Sequence, residues 1–210
     1  VEIAEDAKDI GFKLSLISNG SKPAVINKMS RLLDSLTISL DSTRISTNLE
    51  IGRCDRKKRQ VYGYALLELF FDVKCSNPKL KRKLNTVVNA INHREDFNNL
   101  ITSLQLDRWK ILRVLGNVSK SLLVNQAEFD AFVKRHEKFD HIMSVEDNDD
   151  MMQSYIMVDP HGRFYQNDLI TNGYTYSAPI LNAGVKNAFN QINFSAHSFA
   201  NRYPSKNHGG

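Results

Sequence analysis

Apolar residues along this chain switch repeatedly between a helical and a strand period, and that alternation restricts the fold more than any other feature. Ile3, Ala7 and Ile10 fall on one helical face, which Gly11 can close. Residues 12–17 form a short strand-like run ended by Ser18, Asn19 and Gly20. Pro23 suits the first turn of a helix, followed by Ile26, Met29, Leu32 and Leu33 on one side. Residues 36–40 predict a second strand, ended by Asp41 and Ser42. Tyr62, Leu66, Leu69, Phe70 and Val73 mark a helix, and residues 80–88 a third strand. Asn92 and Glu95 stand at capping-box spacing before Phe97, Leu100, Ile101 and Leu104. Residues 108–115 predict a fourth strand, and Asn125 with Glu128 repeats the cap before Phe129, Phe132 and Val133. Strands and helices in this order predict parallel βαβ units. A looser C-terminal part follows, with strand-like runs at 154–158 and 163–165 and a helix over 181–192. The acidic stretch 146–150 predicts a solvated loop, and residues 205–210 a frayed end.

The third and fourth strands carry polar residues where a filled interior would be apolar. Side chains alternate faces along a strand. Lys83 and Asn85 therefore share one face, and so do Arg108 and Lys110, while Leu84 and Trp109 point the other way. Three cations and an amide aimed into one interior predict a cavity that holds a polyanion. The ends of the first two predicted strands, at Ser18-Asn19 and Ser39-Leu40-Asp41, are polar as well. In a closed barrel the interior is packed with branched apolar side chains. In both barrels and doubly wound sheets the ligand sits at the carboxyl ends of the strands. Inward Lys and Arg fit a wide, incomplete barrel better than a filled one.

At 210 residues the chain is long enough to bury a core in one domain. No run approaches a membrane-spanning length, and no secretory leader pattern opens the chain. It begins at Val1 rather than Met, which is expected of a trimmed or partial chain. Cys54 and Cys75 are too few for a four-ligand zinc site or for the thiolates of an iron–sulfur cluster. Without a leader, they are expected to be reduced thiols of a cytoplasmic protein. The net charge of +5 is mild and leaves nucleotides, nucleic acids and anionic surfaces open as partners.

Several segments together resemble the viperin-like radical S-adenosylmethionine enzymes. They are Ser18-Asn19-Gly20-Ser21, Thr37-Ile38-Ser39-Leu40-Asp41-Ser42, Ile51-Gly52-Arg53, Lys83-Leu84-Asn85-Thr86-Val87-Val88-Asn89, Arg108-Trp109-Lys110 and Ser154-Tyr155-Ile156-Met157-Val158-Asp159. Their order and approximate spacing match across nearly the whole chain, from Val1 to about Pro204. The resemblance implies an α/β fold, a partial (βα)6 TIM-like radical S-adenosylmethionine barrel truncated at its N-terminus. Residues 1–140 would form the barrel part and 141–210 an extension covering the nucleotide site. It also implies the chemistry. S-adenosylmethionine is cleaved reductively at a 4Fe–4S cluster, and the 5′-deoxyadenosyl radical takes hydrogen from the ribose of a nucleoside triphosphate. Water is then lost to give a 3′-deoxy-3′,4′-didehydro nucleotide that terminates polymerase chains in antiviral defence. The family's C-x3-C-x2-C cluster motif and the glycine-rich segment after its second strand do not occur here. The cluster is expected only in a longer enzyme, and this chain alone is expected to be inactive.

By the same resemblance Lys83, Asn85, Arg108 and Lys110 contact the triphosphate, chemically suited as charge-assisted and neutral donors. Spacing alone fits a salt-bridged or water-facing strand at least as well, and the matching context shifts the reading to phosphate. Ser39 would meet the ribose of S-adenosylmethionine and Arg53 its carboxylate, against a turn serine and a surface arginine. Asn19 would orient the methionine end, although Asn-Gly is also a turn signal. Tyr155 would stand near the nucleotide sugar as the catalytic phenol, against a packed strand tyrosine. The loop 166–178 has no Lys or Arg where vertebrate relatives are basic, so phosphate contacts are not expected there. The base could be that of CTP, UTP or GTP. A monomer is expected, with no membrane and with nucleic acid as the weaker partner. The competing function is a non-catalytic nucleotide- or nucleic-acid-binding module using the basic run 56–59, which reads better as a solvated loop. The six histidines, His93, His136, His141, His161, His197 and His208, offer no metal spacing and read as exposed or capping.

Overall fold

The alternation becomes real elements in the computed structural model, which describes residues 1–54, 57, 63–114, 120–146, 155–168, 173–197 and 200. Tyr62, Leu115, Ser154, the basic run apart from Lys57, the acidic stretch beyond Glu146 and residues 205–210 lie outside the described residues. The chain divides into two units between Val145 and Glu146.

The first unit runs α1 (Glu2–Asp9), β1 (Ser15–Ser18), α2 (Pro23–Met29), β2 (Ser35–Ser39), α3 (Ile45–Ile51), α4 (Gly63–Ser76), β3 (Lys81–Val88), α5 (Asn98–Leu104), β4 (Arg108–Arg113), α6 (Gln126–Arg135) and all but the last residue of β5 (Met143–Glu146). Local chemistry sets several of these boundaries. Gly11 takes φ +94° and ends α1, with its own N–H on Lys8 O and the Phe12 N–H on Ala7 O. Pro23 opens α2 in its first turn. Asn125 and Glu128 form the reciprocal capping box of α6, at 2.9 and 3.1 Å. Two expectations are corrected. The apolar stripe of α1 buries nothing, with Ile3 and Ile10 exposed. Asn92 and Glu95 do not cap α5. That helix starts at Asn98, whose N–H is taken by Asp96 Oδ1 at 2.7 Å, and the other two side chains are engaged elsewhere.

The sheet order is β1-β2-β3-β4-β5, and β1 to β4 pair in parallel. A doubly wound sheet reverses direction at a switch point, and this order has no reversal. Right-handed crossovers that always step the same way place their helices on one face. One cluster accordingly joins Leu36, Ile38, Leu84, Val88, Trp109 and Ile111 of the strands to Ile26, Leu66, Phe70, Ile101, Phe129 and Phe132 of the helices. The expected α/β fold with parallel strands is borne out.

The second unit is an antiparallel sheet of β6 (Met157–Val158), β7 (Arg163–Asp168) and β8 (Gly173–Pro179), followed by α7 (Ile180–Ala183) and α8 (Val185–Phe189). The stretch expected as a loop over 166–178 is therefore largely a hairpin of β7 and β8. The helix expected over 181–192 is two short ones, because Gly184 at φ +77° and ψ 152° breaks it. Phe164, Ala188 and Ile192 form the small core of this unit.

Candidate functional site

Strand register decides which side chains share a face, since Cα partners across a parallel ladder point the same way. Lys83 is paired with Thr37 and Arg108, and Asn85 with Ser39 and Lys110. Two rows thus cross the middle of the sheet, Thr37–Lys83–Arg108 and Ser39–Asn85–Lys110. From ordinary strand spacing and rise, their six Cα atoms fit a patch of about 10 Å by 7 Å. Leu84 and Trp109, one residue along, are fully buried in the helix-packed core. The alternation inferred from the sequence is therefore present, and the polar rows lie on the face that the core does not use.

The two cations of the first row lean apart. Lys83 Nζ donates to Ser35 Oγ on β2 at 3.3 Å, and Arg108 Nη2 donates to Ser144 Oγ on β5 at 2.7 Å. Burial holds the Lys83 ammonium below its usual pKa, and the like charges of Arg108, Lys81 and Lys110 add to the effect, with Asp107 opposing. Lys83 thus keeps its charge at a cost that a nearby anion would relieve.

At the carboxyl end of β2 lies Asp41, 2% exposed. One of its oxygens accepts the Val87 N–H at 2.9 Å and the other the Arg53 Nε–H at 2.5 Å. Burial pushes this carboxyl up, while Arg53 and the Val87 N–H pull it back. Gly52 delivers Arg53 to this place. At φ +83° it ends α3, the Arg53 N–H bonds Asn48 O at 2.7 Å, and the chain turns back. Ser39 sits in the same row as Asn85 and Lys110, so the structure brings this candidate onto the face of the phosphate candidates. Asn19 is exposed, and its Oδ1 accepts the Ser21 N–H at 3.1 Å, so the local turn uses that atom. Tyr155 belongs to the second unit, where its carbonyl accepts from Gln166 Nε2 at 2.7 Å.

Three residues of this region were not singled out by sequence reasoning as site residues: Asp41, Asn92 and Glu95. Asn92 Nδ2 donates to Asp41 O and Val87 O, at 2.5 and 2.9 Å. Glu95 accepts from Ser42 Oγ at 2.6 Å, from the Thr43 N–H at 3.0 Å and from Thr43 Oγ1 at 3.3 Å. The signal was the concentration of polar side chains at predicted strand ends. The capping-box spacing of Asn92 and Glu95 hid their long-range use.

His136 is the capping kind of histidine but is fully buried, not exposed. Its Nε2 accepts the Phe97 N–H at 2.9 Å while Nδ1 faces Phe132 O at 2.8 Å, which requires the neutral ring with hydrogen on Nδ1. Burial lowers its pKa. For an iron–sulfur cluster the residues do not fit. Cys54 is half-buried, Cys75 is exposed near the end of α4, and no group of three or more potential metal ligands occurs among the described residues. For S-adenosylmethionine the donor set does fit, a hydroxyl for its diol and a guanidinium for its carboxylate. No helix among the described residues is long and apolar enough to cross a membrane.

No protein-family model matches the chain. Among curated proteins it is similar to an "S-adenosylmethionine-dependent nucleotide dehydratase" of Pseudoalteromonas ulvae, 44% identical over 201 residues, covering 95% of this chain and 65% of the relative. A protein of the same name from Psychrobacter lutiphocae is 41% identical over 204 residues, covering 96% of this chain and 68% of that one. Another from Selenomonas ruminantium is 34% identical over 210 residues, with 96% and 75% covered. The chain spans about two thirds of the length of the first two relatives.

Proposed function

Because the chain belongs to the family of viperin-like S-adenosylmethionine-dependent nucleotide dehydratases, we propose that its polar sheet face holds a nucleoside triphosphate and S-adenosylmethionine side by side for loss of water from the nucleotide. Lys83, Arg108 and Lys110 grip the phosphate tail and Asn85 adds a neutral donor. Ser39 meets the ribose of S-adenosylmethionine. Arg53, fixed through Nε by Asp41, offers its Nη groups to the methionyl carboxylate, and Asn19 lies at the methionine end. The sheet is on this reading one wall of a partial (βα)6 barrel formed by residues 1–140, with the polar rows as its lumen, and residues 141–210 form an extension. The two thiols of this chain cannot supply a radical-generating cluster. Its own part is to bind and orient, and alone it binds without turnover.

The observation that carries the reading is the pair of cross-strand rows, which set three cations and three neutral donors on one face. Calorimetric titration of the chain with CTP, UTP, GTP and inorganic sulfate tests it. Triphosphates are expected to bind at least tenfold tighter than sulfate. Lys83→Ala or Arg108→Ala should weaken them by roughly 10- to 100-fold, the worth of a charge-assisted hydrogen bond. Triphosphates that bind no better than sulfate would refute the nucleotide role, and the order among the three reports the preferred base. For Tyr155 the family resemblance is the sole support. Tyr155→Phe in the complete enzyme should lose turnover while triphosphate affinity stays unchanged, and retained turnover removes Tyr155 from the chemistry.

A further inference from the structure

We infer that Glu95 is the positioning residue that sets the Arg53 guanidinium for its carboxylate partner, acting through the loop after β2. The inference rests on the reading of Arg53 as a carboxylate grip. Glu95 is 6% exposed, too enclosed to meet a ligand itself. Both its oxygens are spent on Ser42 and Thr43, in three hydrogen bonds from one backbone and two hydroxyl donors. A connecting loop is ordinarily among the more mobile parts of a fold. This one is held from two sides. Asn92 and Glu95, from the segment after β3, hold Asp41 O, Ser42 and Thr43. Asn48 of α3 holds Ser42 O at 2.7 Å, and its own carbonyl takes the Arg53 N–H.

Two routes therefore converge on Arg53: the Asp41 carboxylate on its Nε, and Ser42 through Asn48 on its backbone. Both start at the loop that Glu95 clamps. The clamp comes from the chain just after β3, the strand that carries Lys83 and Asn85. It thus fixes the cofactor-side guanidinium with respect to the strand assigned to the nucleotide. A carboxylate suits this task because two acceptor oxygens serve several donors at once, and charge-assisted bonds are the stronger kind. Glutamine in its place would turn an NH₂ group towards hydroxyl and amide donors.

The test uses the whole chain with two readouts. In nuclear magnetic resonance, Glu95→Gln should speed hydrogen exchange of the Thr43 amide about tenfold or more and shift the Arg53 Nε–H signal, as the loss of a charged acceptor weakens the loop's hold. In calorimetry the same variant should lower affinity for S-adenosylmethionine about tenfold and leave CTP affinity within about twofold. Ser42→Ala, which removes one of the three bonds, should give the same pattern at smaller amplitude and serves if Glu95→Gln does not fold. The inference is overturned if the Arg53 signal stays in place in both variants, or if CTP affinity falls in step with that for S-adenosylmethionine, which marks a merely structural residue. Arg53→Ala examines the underlying reading separately. Unchanged S-adenosylmethionine affinity there, or none in the unmodified chain, sinks the carboxylate grip, while the resonance readout still decides the clamp.

Discussion

Replacing Lys83 by Met should strengthen the fold and weaken the site. The side chain sits across from Arg108 and shares its face with Lys81 and Lys110. At about 8 Å a pair of like charges costs ~0.5 kcal/mol in water and ~2 kcal/mol at an effective dielectric constant of about 20. Lys83 is only half-buried, so screening over a Debye length of about 8 Å reduces the sum over its neighbours to about 1 kcal/mol. Met keeps the unbranched apolar stem. The one bond lost is the 3.3 Å contact to Ser35 Oγ, which retains its bond to Ser15 Oγ at 2.8 Å.

Proton linkage supplies a second signature. The folded pKa of Lys83 lies below its ordinary value of 10.5, so between the two values the unfolded chain binds more protons. The cost is therefore fully present at neutral pH and is relieved as pH rises through the folded pKa towards 10.5. Trp109, the single tryptophan and fully buried behind the site, reports unfolding in urea. At pH 7 the midpoint of Lys83→Met should rise by about 0.5 M, for a denaturant dependence of about 2 kcal/mol/M. That gain should shrink in alkaline buffer, while CTP affinity measured by calorimetry drops roughly 10- to 100-fold. A Met variant that is less stable yet binds CTP as before would show Lys83 to be a structural residue and would refute the phosphate reading.

Three further outcomes follow from the same geometry. Gly52→Ala meets no steric obstacle, but φ +83° costs a side chain about 1 kcal/mol. It should lower stability by that amount in urea and weaken S-adenosylmethionine more than CTP in calorimetry. Thr86→Val removes the acceptor of Trp109 Nε1–H, at 3.0 Å, and the donor to Leu40 O, at 2.9 Å. Stranding these buried groups should cost about 1–3 kcal/mol in urea unfolding. His136 has a folded pKa below 6.5, so its contribution is complete above that pH and is lost as pH falls from 6.5 towards the folded value. Stability there should decline by up to about 1.4 kcal/mol per pH unit more than in His136→Gln, and parallel profiles would rule out that ring as the cause.

Where sequence was legible, short-range chemistry and tertiary packing agreed. The Gly11 stop, the Pro23 start and the Asn125–Glu128 box all depend on atoms within a few residues, and each is found. The faces of Lys83, Asn85, Arg108 and Lys110 followed from strand period alone, because an apolar neighbour on each strand had to enter the core. Asn92 and Glu95 failed for a specific reason. A capping box needs an amide and a carboxylate near unpaired N–H groups, and so does a clamp on a distant loop. Spacing along the chain cannot tell which N–H groups will be nearest. The hairpin of β7 and β8 failed for another: Tyr165, Tyr174 and Tyr176 pack ring against ring at 5.5–6.3 Å, a cross-strand gain invisible until the strands are paired.

The strand order explains why such a polar face can exist at all. In a doubly wound sheet both faces are covered by helices, and a row such as Thr37–Lys83–Arg108 would have to be desolvated throughout beneath one of them, whereas here Thr37 is buried and Lys83 only half-buried. Sequential winding confines helix packing to the opposite face, where Leu36, Leu84 and Trp109 supply apolar burial. On the proposed reading, stability and ligand chemistry are thereby assigned to alternate residues of the same strands. Lys83 can carry a charge that costs energy because Leu84, its neighbour, secures β3 from the other side. The same division explains the clamp. Arg53, in the turn after α3, is held by polar bonds rather than by packing, its Nε by Asp41 and its N–H by Asn48 O, while Glu95 bonds Ser42 and Thr43 of the loop after β2.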